Sequence, residues 1–250
     1  MELDENNKFN YIENHTIKNY YLPNFDVSVS IIILTYNALS FTKKCVDSIL
    51  KNTSFPYEII FVDNASTDGT VNYLKQICNE YNHLSFLQNN TNKGFAAGNN
   101  QGVKLANGKY VLLLNNDVLV SEGWLSSMVS ALEIHDNIGM IGPVTNSISG
   151  LQRIPNLEYN PENEFEKVSA QIRRAKRGKI TPRLRIAGFS MLLEKQLYDE
   201  LNGFDESFGS GNYEDDDFCL RLRSKGKAIM VDESTFIHHY GSQTFKANGI

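Results

Sequence analysis

The 250-residue sequence contains only three cysteines, an odd number that lie far apart, at Cys45, Cys78 and Cys219. Each lies in a stretch with helical periodicity, so we expect reduced thiols rather than a disulfide framework or a zinc site. The sequence also lacks an uninterrupted apolar run of about 18–20 residues, the length that a membrane-spanning helix requires. Its acidic, polar start, MELDENNKFN, is unlike a signal peptide. These absences predict a cytoplasmic protein.

A strong excess of charge of one sign is also missing, since 24 Lys and Arg residues face 29 Asp and Glu residues, for a net charge of -5. This balance argues against a protein that binds nucleic acid over its whole surface. Hydrophobic residues make up 41% of the chain and the mean hydropathy is -0.33. These values are typical of a globular protein that buries a core, and the length fits one α/β domain.

Apolar runs alternate with helical periodicity through the first 145 residues. The near-continuous run from Val29 to Leu34 predicts a strand buried on both faces, and Asn37 is the predicted N-cap of the next helix. Further strands are predicted at 58–62, 84–87, 109–114 and 138–141, with helices between them. This alternation predicts a Rossmann-like α/β fold with a mostly parallel sheet flanked by helices, and function at the carboxyl ends of its strands.

The remaining pattern is less regular. Small residues in segment 92–102 open the third predicted helix, where we expect close packing against the sheet. Residues 145–183 have little periodicity and are predicted as a loop or a short surface helix. Two separate strands are predicted near the end, at 228–231 and 235–240.

Acidic and amide side chains cluster where predicted strands end or helices start, at Asp63, Asn115–Asp117 and Glu214–Asp217. A buried carboxylate at a strand end is costly unless a metal, a ligand or a helix N-terminus uses it. For Asp63 taken alone, the cap of its own turn is the favoured explanation. Asp117 suits a hard cation such as Mg²⁺ or Mn²⁺, although an Asx turn explains it as well.

The acids at 214–217 open a predicted helix whose other end is basic, an arrangement that complements the helix dipole. Four consecutive acids exceed what capping needs, so we expect at least one to face a cleft and serve as a general base. Adjacent His238 and His239 lie in a predicted strand. Their side chains therefore point to opposite faces, and only one of them can readily reach a given site.

Eight segments follow one another in an order that carries a family resemblance. They are IIILTYN at 31–37, DNASTDG at 63–69, NKGFAAGNNQG at 92–102, LLLNND at 112–117, GFSMLL at 188–193, LNGFDESF at 201–208, YEDDDFCLRLRSKG at 213–226 and HHYGS at 238–242. Together they resemble family 2 of the inverting glycosyltransferases, which have the GT-A fold. The resemblance extends over about residues 27–245.

The resemblance implies roles for individual residues. Those implied to contact or lie beside the nucleotide sugar are Thr35, Tyr36, Asn37, Asp63, Lys93, Gly94, Asn99, Asn115 and Asn116. Asp117 stands last in the position of the family's DxD element and is implied to bind a metal at the diphosphate, with His238 or His239 nearby. Asp215 of the Glu214–Asp215 pair matches the catalytic base. Asn115 replaces the first DxD aspartate, which removes one carboxylate and is interpreted as a change in metal affinity.

The implied activity is transfer of a sugar, with inversion, from a UDP-, dTDP- or GDP-linked donor to a hydroxyl of a glycan or lipid-linked acceptor. Mg²⁺ or Mn²⁺ is the implied cofactor, and cell-surface polysaccharide or glycoconjugate synthesis the implied setting. The Asn-Asn-Asp form is similar to that of rhamnosyl and other bacterial surface-glycan transferases. The alternative is a GT-A domain that binds sugar nucleotide or glycan without turnover.

Two other enzyme classes are set aside because their motifs are missing. No GxGxxG follows the first predicted strand, as a Rossmann dehydrogenase requires. Sugar-nucleotide pyrophosphorylases need an N-terminal Gly-rich, Arg-containing phosphate loop, which is also missing from the sequence.

We expect a lead-in segment at 1–26, one GT-A domain at 27–245 and a tail at 246–250. Within the domain, 27–144 would bind the nucleotide sugar, and 145–245 would hold the acceptor and the catalytic residues. The basic run from Arg173 to Arg185 is either a solvated loop or a contact with a phosphate-bearing acceptor or an anionic membrane. The second reading would place the protein peripherally at the inner face of the membrane.

Overall fold

A computed structural model describes residues 8–13, 16–21, 28–134, 136–209, 212–241 and 243. Near the start of the chain, β1 (Lys8–Glu13) pairs in antiparallel fashion with β2 (Thr16–Tyr21). Of the predicted lead-in segment, only these two backbone stretches are described, and the predicted tail at 246–250 lies outside the described residues. The predicted domain boundaries stay predictions.

One mixed sheet forms the centre of the fold. Its strands are β3 (Val29–Thr35), β4 (Tyr57–Asp63), β5 (Leu84–Gln88), β6 (Tyr110–Asn115), β7 (Val118–Leu119), β8 (Ile138–Thr145), β9 (Ile180–Arg183), β10 (Ser190–Glu194) and β11 (Ala228–His239). They run in the order β5-β4-β3-β6-β10-β8-β11-β7, and β9 pairs with β11. The pairs β5-β4, β4-β3, β3-β6 and β8-β11 are parallel, whereas β10 is antiparallel to both of its neighbours. The expected mostly parallel α/β sheet is confirmed.

Helices cover both faces of this sheet. They are α1 (Leu39–Asn52), α2 (Thr70–Glu80), α3 (Gly94–Lys104), α4 (Trp124–Ile134), α5 (Phe165–Lys176), α6 (Lys195–Glu200) and α7 (Glu214–Ser224). Side chains of β3 alternate between two buried clusters, Ile31 and Ile33 in one and Ile32 in the other. The first cluster includes residues of α1, α2 and α4, and the second includes residues of α3, α5, α6 and α7. A strand buried on both faces needs such a continuous apolar run.

Helix α3 packs unusually close to the sheet, as its small residues predict. A Cβ atom added at Gly98 would lie 2.3 Å from Cδ1 of Leu34, and one added at Gly102 would lie 2.3 Å from Cγ2 of Ile32. The two glycines are four residues apart and therefore lie on the same face of the helix. The first turn of α3 is consequently held close to the carboxyl end of β3.

We expect Gly102→Ala to destabilise the protein, because Cγ2 of Ile32 is attached directly to a branched Cβ and has little freedom to move. Overpacking of this kind costs about 1–3 kcal/mol, and the higher helix propensity of alanine offsets up to about 1 kcal/mol of it. Urea unfolding measures the change. Lys104→Ala, at an exposed position of the same helix, is the control, and an equal effect of both substitutions would contradict the close-packing argument.

Three local predictions differ from the structure. Ala38, with φ 62°, takes the N-cap position of α1 that we predicted for Asn37, whose Oδ1 instead accepts a hydrogen bond from the Thr67 amide at 2.7 Å. The segment predicted as a loop or a short surface helix contains the 12-residue α5 and strand β9. The two strands predicted near the end are one strand, β11, with a register shift between Asp232 and Phe236.

The described part of the chain agrees with two predictions, that the cysteines are free thiols and that no helix is suited to span a membrane. Cys45, Cys78 and Cys219 lie in α1, α2 and α7, and all three are free thiols. Burial is the main reason why the pKa of Cys78 and that of Cys219 are each raised to about 12, so these thiols stay protonated at neutral pH. Among the described helices, none is long and apolar enough to cross a membrane.

Candidate active site

A cavity of about 490 Å³ opens where the parallel strands end. Its walls come from the segments that follow β3, β4, β6 and β8, from the starts of α3 and α7, and from the residues that precede β10. Its lining includes eight of the residues that the sequence singled out: Tyr36, Gly94, Asn115, Asn116, Asp117, Glu214, Asp215 and His239. Because β10 runs antiparallel, its beginning lies at the same edge of the sheet as the ends of its neighbours.

Asp63 lies at the base of the β3–β4 end of this edge and is completely buried. Its Oδ1 accepts a hydrogen bond from the Thr35 hydroxyl at 3.0 Å, and its Oδ2 accepts one from the Ser66 amide at 2.9 Å. Asn64 extends this network, since its Nδ2 donates to the Gly94 carbonyl at 3.1 Å. Asp63 therefore caps its own turn, and the network fixes the turn against the start of α3.

Asp117 and His239 form a buried pair in the middle of the cavity. Asp117 Oδ1 lies 3.2 Å from His239 Nε2, and the side chains are 3% and 6% exposed. The other ring nitrogen, Nδ1, lies 2.7 Å from the Ser147 carbonyl oxygen, which only accepts hydrogen bonds. Nδ1 therefore carries a proton and fixes the ring so that Nε2 faces the carboxylate. Phe189 stacks on the same ring with centroids 5.3 Å apart.

The two members of this pair shift each other's protonation. Burial favours the neutral imidazole, but the hydrogen bond and the charge of Asp117 outweigh it and raise the pKa of His239. Burial likewise favours the protonated acid, yet the contacts with His239 and the Gln243 amide bring the pKa of Asp117 below its usual value. At neutral pH the carboxylate is therefore charged and available as an oxygen ligand.

His238 lies on the opposite face of β11 and does not line the cavity. Its Nδ1 is hydrogen-bonded to the Tyr159 hydroxyl, and the ring packs edge-on against Tyr159 and Phe165. Burial, with the neighbouring charge of His239 as the next contribution, lowers the pKa of His238 to about 4. The structure thus separates the two candidate histidines and places His239 alone beside Asp117.

The two asparagines before Asp117 are held in different ways. Asn115 Nδ2 lies 3.3 Å from His239 Nε2. Asn116 is buried, and its Nδ2 donates to the Thr42 hydroxyl of α1 at 2.9 Å. Asn115 therefore contacts the same ring nitrogen as Asp117, while Asn116 anchors the segment to the neighbouring helix.

Asp215 lies in the first turn of α7, on the wall of the cavity. Its Oδ2 accepts a hydrogen bond from the Gly188 amide at 2.9 Å, and its Oδ1 accepts one from the Asp216 amide at 2.9 Å. A Cβ added at Gly188 would lie 3.2 Å from Cζ of Phe95, so a larger residue there would press on the ring. The two amides fix the orientation of a half-buried carboxylate at the cavity wall.

Glu214 is the more deeply buried member of the acidic pair, at 5% exposure. No donor among the described residues lies within hydrogen-bonding distance of its Oε2. Burial is the main reason why the pKa of Glu214 is raised, and the charges of Asp215 and Asp216 add to the effect. An ionised Glu214 is therefore a source of instability at the start of α7.

We expect Glu214→Gln to stabilise the folded protein at neutral pH. The pKa of Glu214 in the folded protein lies above the ordinary glutamate value of 4.5, so the wild type loses stability as the pH rises from that ordinary value through the pKa of the folded state. The uncharged amide avoids this loss, and a gain of about 0.5–2 kcal/mol is typical of substitutions that relieve such a site. Thermal unfolding at pH 4 and pH 8 measures it, and a gain that is no larger at pH 8 than at pH 4 would contradict the assignment.

Five of the residues implied to contact or lie beside the nucleotide sugar do not line the cavity: Thr35, Asn37, Asp63, Lys93 and Asn99. Lys93 is exposed at the N-cap of α3, and Asn99 is buried with its Nδ2 donating to the Phe95 carbonyl at 2.9 Å.

Sequence reasoning missed Arg185 and Tyr213 as cavity residues. Arg185 lies in a basic run and Tyr213 lies in an acidic motif. In both cases the sequence prediction was based on the charge of the neighbouring residues and not on the individual residue.

Four basic residues of the run from Arg173 to Arg185 form ion pairs with acids. Lys176, Lys179 and Arg183 lie 3.3, 2.9 and 3.9 Å from carboxylate oxygens of Glu233. Arg185 Nη1 lies 2.5 Å from Asp216 Oδ2 at the cavity. The segment is therefore held on the domain by a set of ion pairs, most of which have exposed basic partners.

Two protein relatives resemble parts of this chain. An uncharacterized glycosyltransferase of Haemophilus influenzae is 31% identical over 114 residues, which cover 46% of this chain and 35% of that protein. The poly(ribitol-phosphate) beta-glucosyltransferase of Bacillus spizizenii is 33% identical over 94 residues, or 36% of this chain and 15% of that protein. The first three curated relatives are matched over only 24–38% of their own lengths.

Similarity at the level of the fold extends over most of the chain. The crystal structure of GalNAc-T7 with UDP, GalNAc and Mn²⁺ superposes with a TM-score of 0.69 at 15% sequence identity, over 88% of this chain and 45% of that one. This likeness supports the GT-A-like fold. Residues 30–199 match the family model described as glycosyl transferase family 2. Because this match covers more than half of the 250 residues, the chain belongs to glycosyl transferase family 2.

Proposed function

We propose that this chain transfers a glycosyl group, with inversion, from a nucleoside-diphosphate sugar to an acceptor hydroxyl. One observation carries the proposal: the buried Asp117–His239 pair and the amide-bound carboxylate of Asp215 line a single cavity at the carboxyl ends of the parallel strands. Ligands of open α/β sheets bind at this edge. The Asp117–His239 pair is suited to a cation that stabilises a charged diphosphate, and the Asp215 carboxylate is suited to accept a proton from a hydroxyl.

The nucleoside would occupy the end of the cavity formed by β3, β4 and the start of α3. Tyr36, Asn64 and Gly94 line this end, and Asp63 with Thr35 holds its floor. Gly94 adopts φ 83°, so the backbone of the helix start is exposed to the ligand without a Cβ in the way. Asn37, Lys93 and Asn99 would then support this wall from positions outside the cavity lining.

Asp117 and His239 fit a divalent cation such as Mg²⁺ or Mn²⁺. A charged carboxylate and an imidazole nitrogen, 3.2 Å apart, face each other while the second ring nitrogen is held by a carbonyl, which is the usual support of a metal-binding histidine. Among the described residues, no three His, Cys, Asp or Glu side chains form a complete metal site. Diphosphate oxygens and water would therefore complete the shell, and a bound cation supplies charge stabilisation for the leaving diphosphate.

Asp215 is the proposed base. Its carboxylate is oriented by the Gly188 and Asp216 amides, and it accepts the proton of the acceptor hydroxyl as that oxygen attacks the anomeric carbon. Asp117 and His239 lie on the side of the departing diphosphate. Attack and departure on opposite sides in one displacement invert the anomeric centre, and Glu214 shapes the wall beside the base.

A donor panel tests this function. Purified protein with MnCl₂ is incubated with UDP-, dTDP- and GDP-linked sugars, including dTDP-rhamnose, and released nucleoside diphosphate is measured with and without simple glycoside acceptors. We expect acceptor-stimulated release with one class of donor, and NMR of the product shows whether the anomeric configuration is inverted. Donor binding without any release would instead support a domain that binds sugar nucleotide without turnover.

We also propose that the acceptor is a surface glycan or a lipid-linked glycan, reached through contact with an anionic membrane. The support is the exposed Leu184, at 71%, between Arg183 and Arg185, together with exposed Arg174 and Arg177 on the same segment. Basic side chains near an apolar residue favour anionic lipid surfaces.

Reversing the charge in Arg174→Glu/Arg177→Glu should abolish flotation with phosphatidylglycerol vesicles, because each basic residue near such a surface contributes about 1 kcal/mol. Lys75→Glu, on the separate helix α2, is the control. Vesicle binding that is equal in both variants would remove the membrane from the proposal while leaving the transfer reaction intact.

A further inference from the structure

The end of the cavity opposite the proposed nucleoside side has no assigned ligand. It is formed by residues that follow β8, by those that precede β10 and by the start of α7, and it includes Ile148, Arg185 and Tyr213. Asp215 lies on the same wall. Since the proposed base must contact the attacking hydroxyl, this end is where the acceptor has to lie.

Tyr213, the N-cap residue of α7, has a left-handed backbone conformation that is unusual for a bulky side chain. Its φ is 74°, and the preceding Asn212 has φ 95°. Positive φ is costly for a bulky residue, whereas glycine adopts it freely. The side chain does not compensate for this cost through burial, because Tyr213 is 69% exposed. Strained residues of this kind cluster at active sites and ligand-binding sites.

The surroundings of Tyr213 match the chemistry of a sugar ring. An exposed phenol ring offers a flat apolar face, and one side of a pyranose presents a comparable face of C–H groups. The Arg185–Asp216 ion pair borders the same cavity and provides donors and acceptors for ring hydroxyls. Aromatic side chains with a few polar groups are the usual lining of small-molecule sites.

We propose that Tyr213 is the platform of the acceptor subsite, where its ring stacks on a pyranose that presents the attacking hydroxyl to Asp215. This inference rests on the proposed function and deepens it by naming the acceptor's terminal unit as a cyclic sugar. A linear polyol or a peptide hydroxyl has no ring face to stack. Tyr213 acts on the acceptor alone and leaves donor binding to the other end of the cavity.

Tyr213→Ala, Tyr213→Phe and Tyr213→Gly test the proposal. The probes are methyl glycosides of glucose, galactose, N-acetylglucosamine and rhamnose, with ribitol as the linear comparison. Saturation-transfer NMR measures their binding, and released nucleotide measures turnover. We expect Tyr213→Ala to raise the acceptor KM and the glycoside Kd about tenfold, with the donor KM unchanged. Tyr213→Phe should keep wild-type values, since stacking needs the ring and not the hydroxyl.

A thermal scan separates this role from a structural one. Tyr213→Gly relieves the backbone, so its Tm should equal or exceed that of the wild type while acceptor binding falls as in Tyr213→Ala. Leu220→Ser, on the exposed side of the same helix at 59% exposure and outside the cavity lining, is the control and should leave both KM values unchanged.

Several results would overturn the inference: an acceptor KM within twofold of wild type in Tyr213→Ala, an equal rise in the donor KM, preferential binding of ribitol, or a lower Tm in Tyr213→Gly. Failure of the proposed function looks different. If wild type turns over no donor, yet methyl glycosides bind and Tyr213→Ala weakens them, the subsite stands and the transfer reaction does not. If the glycosides bind wild type and Tyr213→Ala equally, the subsite is rejected.

Discussion

Asp215→Asn is expected to bind the donor normally and to lose turnover by about 10²–10⁴-fold, the range that a positioned general base contributes. The amide cannot accept the acceptor proton, but it has nearly the same size as the carboxylate. Its oxygen can keep one of the two hydrogen bonds from the Gly188 and Asp216 amides, so the fold should survive. Single-turnover release of nucleotide, with donor affinity measured by calorimetry, separates loss of chemistry from loss of binding.

Asp217→Asn is the matched control for this experiment. Asp217 lies in the same acidic turn, but its Oδ2 accepts a hydrogen bond from Arg221 Nε at 2.7 Å and it does not line the cavity. The substitution removes one (i, i+4) pair, worth about 0.3–0.5 kcal/mol, and should leave turnover near the wild-type rate. Equal losses in both variants would show that the turn needs its charge rather than a base at Asp215.

The central strands could be predicted because their pattern is local. The run in β3 has side chains for both buried clusters in alternation, and a one-residue slip would move every side chain to the wrong face. The start of α1 could not be predicted in the same way. Asn37 is a good N-cap by type, yet its side chain is engaged by Thr67, 30 residues away, and Ala38 takes the cap position. A contact of that sequence separation leaves no periodic signal.

In the candidate site, too, some features could be predicted from the sequence and others could not. The resemblance implied that Asp117 and Asp215 serve one site; both line the same cavity, and their roles stay predictions. Strand periodicity predicted that His238 and His239 point in opposite directions, but it did not reveal which one faces Asp117. That choice depends on the register shift after Asp232, where the Asp232 carboxylate accepts hydrogen bonds from the Ser234 and Thr235 hydroxyls at 2.6 Å each. A register shift of this kind changes which side chains of the strand face each side of the sheet.

The second large effect is expected at the Asp117–His239 pair. Asp117→Asn and His239→Asn should each lower Mn²⁺-stimulated kcat/KM by at least about a hundredfold, because charge stabilisation by a bound cation is worth several kcal/mol. Asparagine is chosen at position 239 because its amide can still donate to the Ser147 carbonyl, as Nδ1 does, while the nitrogen that faces Asp117 is removed. The measurement is a MnCl₂ titration of transfer, with excess chelator as the baseline.

His238→Asn makes this test specific, since it changes the adjacent residue of the same strand by the same substitution. His238 is as buried as His239, at 6% and 5% exposure, and its ring packs against Tyr159 and Phe165 on the other face. The variant should therefore have a lower Tm, because a packed ring is lost, but an unchanged response to Mn²⁺. Two findings would contradict the proposed cation site: equal loss of the Mn²⁺ response in both histidine variants, or full wild-type transfer in excess chelator. A difference confined to His239 would instead tie the cation to the face of β11 that the register shift turns toward Asp117.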